Sequence, residues 1–346
     1  MKQKVLVVDD SPFIRRIISD WVKGESDMEL VGQASNGSEA IEAVKALSPD
    51  VITLDVEMPV CDGITALREI MTFRPTAVIM VSSVTTQSAS ATLQALELGA
   101  LDFVTKPEGS SRLKVLGCKA ELLEKIRAAK TASLERRGAF RMAPITPPIS
   151  KMTSDKVVLI AASTGGPKAL AQFWQQLPKG FPCPILIVQH MPAGFTESFA
   201  KRLNSLGTVP CKQAIHGEKV VPGLALIAPG GHHMLVSKNG TIELNVDPIV
   251  HGTRPAADPL FYSAVKLYKS RLIGAVFTGM GRDGADGAAA VIKAGGQVFG
   301  QDEATCTIYG MPKAALQAGG ITAEYPLEKL AGAITTAVKG KIAHAS

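Results

Sequence analysis

Five times between Lys4 and residue 107 the chain repeats one pattern: a short apolar run of strand length, a tight connection, then a stretch with helical spacing. The runs fall at residues 5–8, 30–34, 51–54, 77–81 and 103–105, with helical patterns such as 38–47 and 87–98 between them. Strands alternating with helices over short connections lead to a parallel sheet covered on both faces. Strands that are apolar along their whole length suit it, since each is buried on both sides. The repeat specifies an α/β domain over residues 1–108 before any single side chain is considered.

The pattern then stops. Residues 114–137 could form a polar helix, but Ala143-Pro144-Ile145-Thr146-Pro147-Pro148-Ile149 cannot continue one, because proline lacks the N–H and fixes φ. We read 109–153 as an exposed linker, stiffened by its prolines. A second α/β pattern runs over 154–346, with strands expected at 157–161, 184–189, 224–227 and 272–278. Between alternating apolar residues, Lys238-Asn239-Gly240-Thr241 predicts a tight hairpin, since Asn-Gly accepts positive φ at both turn positions. That hairpin is expected to add an antiparallel element to a mostly parallel, doubly wound sheet.

Length agrees with two domains: 346 residues is long for a single core. Apolar residues at 46% and charged residues at 20% describe a globular chain. No run of about 18 apolar residues is present to span a membrane, and the N-terminal run is too short for a signal-peptide core, which predicts a cytoplasmic protein. The five cysteines are scattered without a C-x-x-C pair, against a disulfide framework or a zinc site. Net charge is uneven: residues 1–110 carry 9 basic and 16 acidic side chains, whereas 111–155 balance to +6 and the remainder to +7. A basic half could serve nucleic acid. Spread over so many residues, and without a helix-turn-helix pattern, it better suits attraction to an acidic protein surface.

Three strand ends of the first domain carry charge: Asp9-Asp10 after the first, Asp55 after the third, Lys106 after the fifth. Ligands of an open parallel sheet gather at those ends, near the switch in strand order. Three carboxylates there repel one another unless a hard cation joins them, and Mg²⁺ suits the task. Asp55 would then be a nucleophile forming an aspartyl phosphate, with Lys106 pairing a phosphate oxygen. The segments Val7-Val8-Asp9-Asp10-Ser11, Leu54-Asp55-Val56-Glu57-Met58-Pro59, Asp62-Gly63, Val81-Ser82-Ser83 and Thr105-Lys106-Pro107 resemble the response-regulator receiver family. The resemblance implies a flavodoxin-like fold, Ser82 as the hydroxyl that reports phosphorylation and Phe103 as the aromatic that moves with it.

In the second domain Ser163-Thr164-Gly165-Gly166-Pro167 follows a strand and opens a helix. Such a turn can hold a nucleophile or an anion-binding cap, and it is not the G-x-S-x-G elbow, because Ala161 stands at the first glycine position. His190 follows the 184–189 strand, and Asp283 lies in the glycine-rich turn after 272–278. Serine, histidine and aspartate at one sheet edge supply a nucleophile, its base and the group that orients the base. Asp286 is the rival acid, but it is expected to begin the next helix. His251 and Arg254 are candidates for the rim.

This half resembles the chemotaxis protein-glutamate methylesterase family. The matching segments are Ala162-Ser163-Thr164-Gly165-Gly166, Gln189-His190-Met191-Pro192, Ala228-Pro229-Gly230-Gly231-His232, Arg254-Pro255-Ala256-Ala257-Asp258 and Thr278-Gly279-Met280-Gly281-Arg282-Asp283-Gly284. Ala162 stands where the family commonly has glycine, and Val60-Cys61 where receivers usually carry a basic–Met pair. The resemblance implies catalysis by Ser163, His190 and Asp283, with the Met280 N–H in the oxyanion hole and the Thr164, Gly165 and Gly166 loop beside the substrate. It also implies demethylation of glutamate γ-methyl esters, and deamidation of particular glutamines, on methyl-accepting chemotaxis receptors. A histidine kinase would be the phosphodonor, with Mg²⁺ in the receiver and no cofactor for the ester chemistry. A DNA-binding output on the same switch, a small-molecule esterase and a phosphate-binding module are the alternatives.

Overall fold

Each apolar run of the N-terminal repeat is a strand in the computed structural model, which describes residues 2–83, 85–106, 112–130 and 154–340. In chain order the first compact unit, within Met1–Gly138, holds β1 (Gln3–Val8), α1 (Pro12–Lys23), β2 (Met28–Ala34), α2 (Gly37–Leu47), β3 (Val51–Asp55), α3 (Gly63–Phe73), β4 (Ala77–Ser82), α4 (Thr86–Leu98), β5 (Asp102–Thr105) and α5 (Arg112–Ala129). The strands pair in parallel in the order β2-β1-β3-β4-β5. Central β3 and β4 are buried at every position, as strands with helices on both faces must be. Helix starts are fixed by side-chain caps: Ser11 accepts from the Ile14 N–H, Asn36 from Glu39 and Asp62 from Thr65, each satisfying a first-turn donor. The order reverses at β1, so residues following β1 and β3 emerge at one edge.

One boundary differs from expectation. α5, read from sequence as part of the 109–153 linker, packs on the first sheet instead. Its Leu122, Leu123 and Ile126 are buried with Val5, Val7 and Ile79, Gln3 Nε2 donates to the Ile126 carbonyl at 2.8 Å, and Arg127 pairs with Glu25 and Asp27. Lys119, Glu121, Glu124, Lys125 and Arg127 gave this stretch a polar average that hid its narrow apolar stripe. Residues 131–137 of the expected helix, the proline-rich segment and Pro107 lie outside the described residues.

The second unit, within Ala139–Ser346, runs β6 (Val157–Ala162), α6 (Gly166–Gln176), β7 (Ile185–Gln189), α7 (Phe195–Leu206), β8 (Cys211–Gln213), β9 (Ala225–Ile227), β10 (His233–Val236), β11 (Ile242–Asn245), α8 (Ala257–Tyr268), β12 (Leu272–Val276), α9 (Ala285–Lys293), β13 (Gln297–Gln301), α10 (Met311–Gln317), β14 (Ala323–Tyr325) and α11 (Leu327–Val338). Seven strands form one parallel sheet, β14-β13-β12-β6-β7-β9-β8. Leu159, Ala161, Leu186 and Val276 of its centre pack under Leu260 and Phe261 of α8 and Val291 of α9. Phe173 of α6 meets Phe277 edge-on at 5.3 Å.

Three strands escaped the sequence reading. β8 and β14 are three residues each, and β13 is preceded by Gly295-Gly296 and carries Gly300 inside it. The hairpin forms, antiparallel, but as a separate two-stranded sheet. β8 takes the nearby edge of the large sheet, and the hairpin packs instead on α8, where the Val236 N–H bonds Ser263 Oγ at 3.0 Å. Its turn spans three residues rather than two. Ser237 N donates to the Thr241 carbonyl, and of the central residues only Gly240 takes positive φ, at 73°, the usual form of a three-residue hairpin loop.

Candidate active site

In the first unit the charged strand ends meet. Asp9 and Asp55 are buried, and Lys106 Nζ lies 2.7 Å from Asp55 Oδ2 and 3.1 Å from Asp9 Oδ2. Asp9, Asp10 and Asp55 each offer a carboxylate oxygen within 4.8 Å of the others. Asp9 Oδ2 is buried without a hydrogen-bond partner in good geometry, and a hard cation would satisfy it. Burial pushes the Asp55 carboxyl up to about 6, against the pull of the Lys106 hydrogen bond and with help from the Asp9 charge. A cleft of about 490 Å³ lined by Asp10, Glu57, Met58 and Gln87 opens beside it.

Ser82, fully buried at the end of β4, accepts from Thr92 Oγ1 at 2.9 Å. Phe103 is buried on β5. Lys125 donates to its carbonyl at 2.6 Å and lies 5.6 Å from the ring centroid.

In the second unit β6 sits where the strand order reverses, with β7 on one side and β12 on the other. Ser163 follows β6, His190 follows β7, and Asp283 follows β12 by a turn. The topology therefore brings three residues distant in sequence to one edge. Ala162 is the last residue of β6, pairs with Gln189 and is fully buried, so its methyl group is accommodated within the sheet.

Ser163 opens a type II turn closed by the Gly166 N–H on the Ser163 carbonyl at 2.7 Å, with Gly165 at φ 77° and ψ −9°. That position demands positive φ, and a side chain there would also strike Thr307. Thr278 ties the edge together: its carbonyl accepts from the Ser163 N–H at 3.1 Å, and its hydroxyl lies 3.0 Å from the Thr164 carbonyl.

His190 Nε2 lies 2.7 Å from Asp283 Oδ2. Asp283 is 1% exposed and also accepts from the N–H groups of Ala257 at 2.6 Å and Asp258 at 3.1 Å, the start of α8. Burial alone would raise its carboxyl, but the bond and charge of His190 with these two donors outweigh it and hold the group below its ordinary value. Asp286 does not reach the histidine. It sits in the first turn of α9 and pairs with Arg282 at 2.8 Å. Ser163 Oγ and the Met280 N–H have no hydrogen-bond partner among the described residues.

The rim candidates divide. His251, exposed and at φ 50°, bonds Asp258 Oδ2 at 2.9 Å, whereas Arg254 Nη1 holds the carbonyls of Val246 and Asp247. Three contributors went unread in the sequence. Thr253 Oγ1 lies 3.3 Å from His190 Nε2. Asp258 is buried and accepts the Gly287 N–H at 2.6 Å. Gln189 bridges two backbone carbonyls of the site. An aspartate in the first turn of a helix was the one available signal, pointing to a cap for Asp258; nothing in the pattern distinguished Gln189 or Thr253.

The family model for CheB methylesterase matches residues 158–334, and that for the response regulator receiver domain matches residues 5–116. The protein-glutamate methylesterase/protein-glutamine glutaminase of Symbiobacterium thermophilum is 44% identical over 97% of each chain. Its counterpart in Pyrococcus abyssi is 43% identical over 98% of this chain and 94% of its own. The crystal structure of the Thermotoga maritima CheB methylesterase catalytic domain superposes with a TM-score of 0.52 at 40% identity, covering 54% of this chain and all of that one.

Proposed function

The chain belongs to the CheB methylesterase family, and we propose that Ser163, His190 and Asp283 carry its hydrolytic chemistry. It is a phosphorylation-activated protein-glutamate methylesterase and protein-glutamine glutaminase, with a receiver domain ahead of the hydrolase. The observation that carries the triad is the 2.7 Å His190–Asp283 bond on one flank of the Ser163 turn. With Nε2 engaged by Asp283, Nδ1 is the ring nitrogen left to take the Ser163 proton. Ser163 Oγ attacks the γ-carbonyl of a receptor glutamate methyl ester, and His190 passes the proton on to the departing methanol. For a glutamine the leaving group is ammonia. Water, deprotonated by His190, then cleaves the acyl-enzyme and restores Ser163 with a free glutamate carboxylate. Asp283 stays ionised and steadies the imidazolium. The Met280 N–H, with the Thr164, Gly165 and Gly166 loop, faces the charge that develops on the carbonyl oxygen.

In the receiver Asp55 is the phosphorylated residue, and a histidine kinase is the donor. Asp9, Asp10 and Asp55 would hold Mg²⁺, which when bound offsets charge on the incoming phosphoryl group. Lys106 pairs a phosphoryl oxygen, and Ser82 and Phe103 answer the modification. The substrates are methyl-accepting chemotaxis receptors met from the cytoplasm. No helix among the described residues is long and apolar enough to cross a membrane. We assign residues 154–346 to the catalytic domain, and to the receiver residues 1–108 together with α5.

Methanol release from methylated receptor membranes, with and without a phosphodonor, tests this reading. Ser163→Ala should abolish release while Asp55 still takes up phosphate. Activity within tenfold of wild type would remove Ser163 from its role.

A further inference from the structure

Gln189 ends β7, is 1% exposed and has no part in the chemistry above. Its Nε2 donates to two carbonyls, Ser163 at 3.0 Å and His190 at 3.1 Å, so one amide grips the backbones of both the nucleophile and the base. Its Oε1 is buried with no partner. A buried side chain with half its polar capacity unused calls for an explanation, and filling space is a poor one, since a leucine or methionine would do that with no orphaned oxygen.

Peptide planarity gives a better one. In a trans peptide the N–H points opposite to the carbonyl. Fixing the Ser163 carbonyl therefore fixes the plane of the Ser163–Thr164 peptide and turns the Thr164 N–H away from Gln189. The bond to His190 sets the His190–Met191 peptide in the same way. Both planes lie in segments that leave the sheet beyond β6 and β7; the Ser163 carbonyl also accepts the Gly166 N–H that closes its turn, and the Gln189 amide ties that turn to the His190 carbonyl.

We propose that Gln189 is a positioning residue for the hydrolase, setting Ser163 against His190 through their carbonyls. It rests on Ser163 and His190 being nucleophile and base. Glycine at 166 is part of the device: a Cβ there would lie 2.1 Å from Gln189 Oε1, so Gly166→Ala dislodges the amide without touching residue 189.

The test is steady-state methanol release from methylated receptor membranes by the full chain, for wild type, Gln189→Ala, Gly166→Ala and the double variant, with a thermal melt of each. Misplacing reacting groups by about 1 Å costs on the order of 100-fold. Gln189→Ala should lower kcat about 10- to 100-fold with KM within roughly threefold, and Gly166→Ala should do the same. Residue 189 truncated to alanine removes the 2.1 Å clash and leaves Ala162 Cβ, at 3.0 Å, as the new methyl group's nearest neighbour, so the double variant should be within about threefold of Gln189→Ala alone.

The proposal is overturned if Gln189→Ala keeps kcat within twofold of wild type, if KM rises as far as kcat falls, if the two losses multiply, or if the loss only follows the unfolded fraction. Ser163→Ala runs alongside: full activity there means that the nucleophile is misassigned, a failure separate from any of these.

Discussion

Asp283 and Asp286, three residues apart in one glycine-rich segment, show how little separates the carboxylate that holds His190 from one that pairs with a surface arginine. Asp283 is buried with three donors; Asp286 pairs with Arg282, with the side chains 41% and 56% exposed. An exposed pair of that kind is worth about 0–1 kcal/mol. Asp283→Asn should therefore cost on the order of 10⁴ in kcat, whereas Asp286→Asn should stay within a few-fold; the reverse order in methanol release would overturn the assignment. The depressed Asp283 carboxyl also implies a pH signature. A group ionised more readily in the folded state adds stability above its ordinary value of 3.8, and that stability is lost as pH falls through the lower folded value. The gap in urea midpoint between wild type and Asp283→Asn should narrow as pH drops below 4; a constant gap down to pH 3 would show that ionisation of Asp283 adds nothing. Sequence favoured Asp283 because it stands in the turn rather than in the helix that follows. It gave no hint of Gln189, whose meaning lies wholly in which carbonyls come within reach of its amide.

At the scale of elements, α8 and α9 cap one another. Asp283, just before α9, accepts the N–H groups of Ala257 and Asp258 at the start of α8, and Asp258 of α8 accepts the Gly287 N–H of α9. The exchange satisfies first-turn donors on both helices and fixes the turn that carries Asp283. Asp258→Ala should destabilise the catalytic unit by about 1–3 kcal/mol, the cost of leaving a buried donor unmet. Asp258→Asn keeps an acceptor and should lose less. Urea unfolding of both variants checks the order, and equal losses would deny the cap its role. Such reciprocity cannot be read along a chain, because its partners stand 25 to 29 positions apart. What could be read were elements with a strong local period. The five receiver strands and the central β6, β7, β9 and β12 announced themselves as apolar runs, whereas β8 (Cys211-Lys212-Gln213) and β14 (Ala323-Glu324-Tyr325) are as short as β9 and carry a charged residue at their centre, which leaves no apolar run to read. α5 was misjudged for another reason: its charges were many, and its buried face is confined to Leu122, Leu123, Ile126 and Ala129.

For the whole molecule, relatives align over nearly the full length, and family models for a receiver domain and for a methylesterase match the two parts of this chain. The match over 158–334 sets aside a DNA-binding output, for which only the basic balance spoke. On the proposed roles, phosphorylation at Asp55 must then alter a rate set at Ser163, and the coupling has a thermodynamic size whatever its route. Moving a chain from 1:99 to 99:1 in favour of an active state takes about 5.5 kcal/mol. A phosphoryl group makes one to three new charge-assisted hydrogen bonds, so a partial shift from a mixed population is the more economical design. Two chains separate restraint from activation. Residues 154–346 alone correspond in extent to a catalytic domain solved by itself and should release methanol faster than the unphosphorylated full chain, with no response to a phosphodonor. Asp55→Asn in the full chain should hold the slow, unstimulated rate. If the isolated hydrolase is no faster than the unphosphorylated chain, the receiver does not restrain it, and phosphorylation must add something the catalytic unit lacks. The full chain with phosphodonor would then outrun the isolated hydrolase, a comparison that the same methanol assay makes directly.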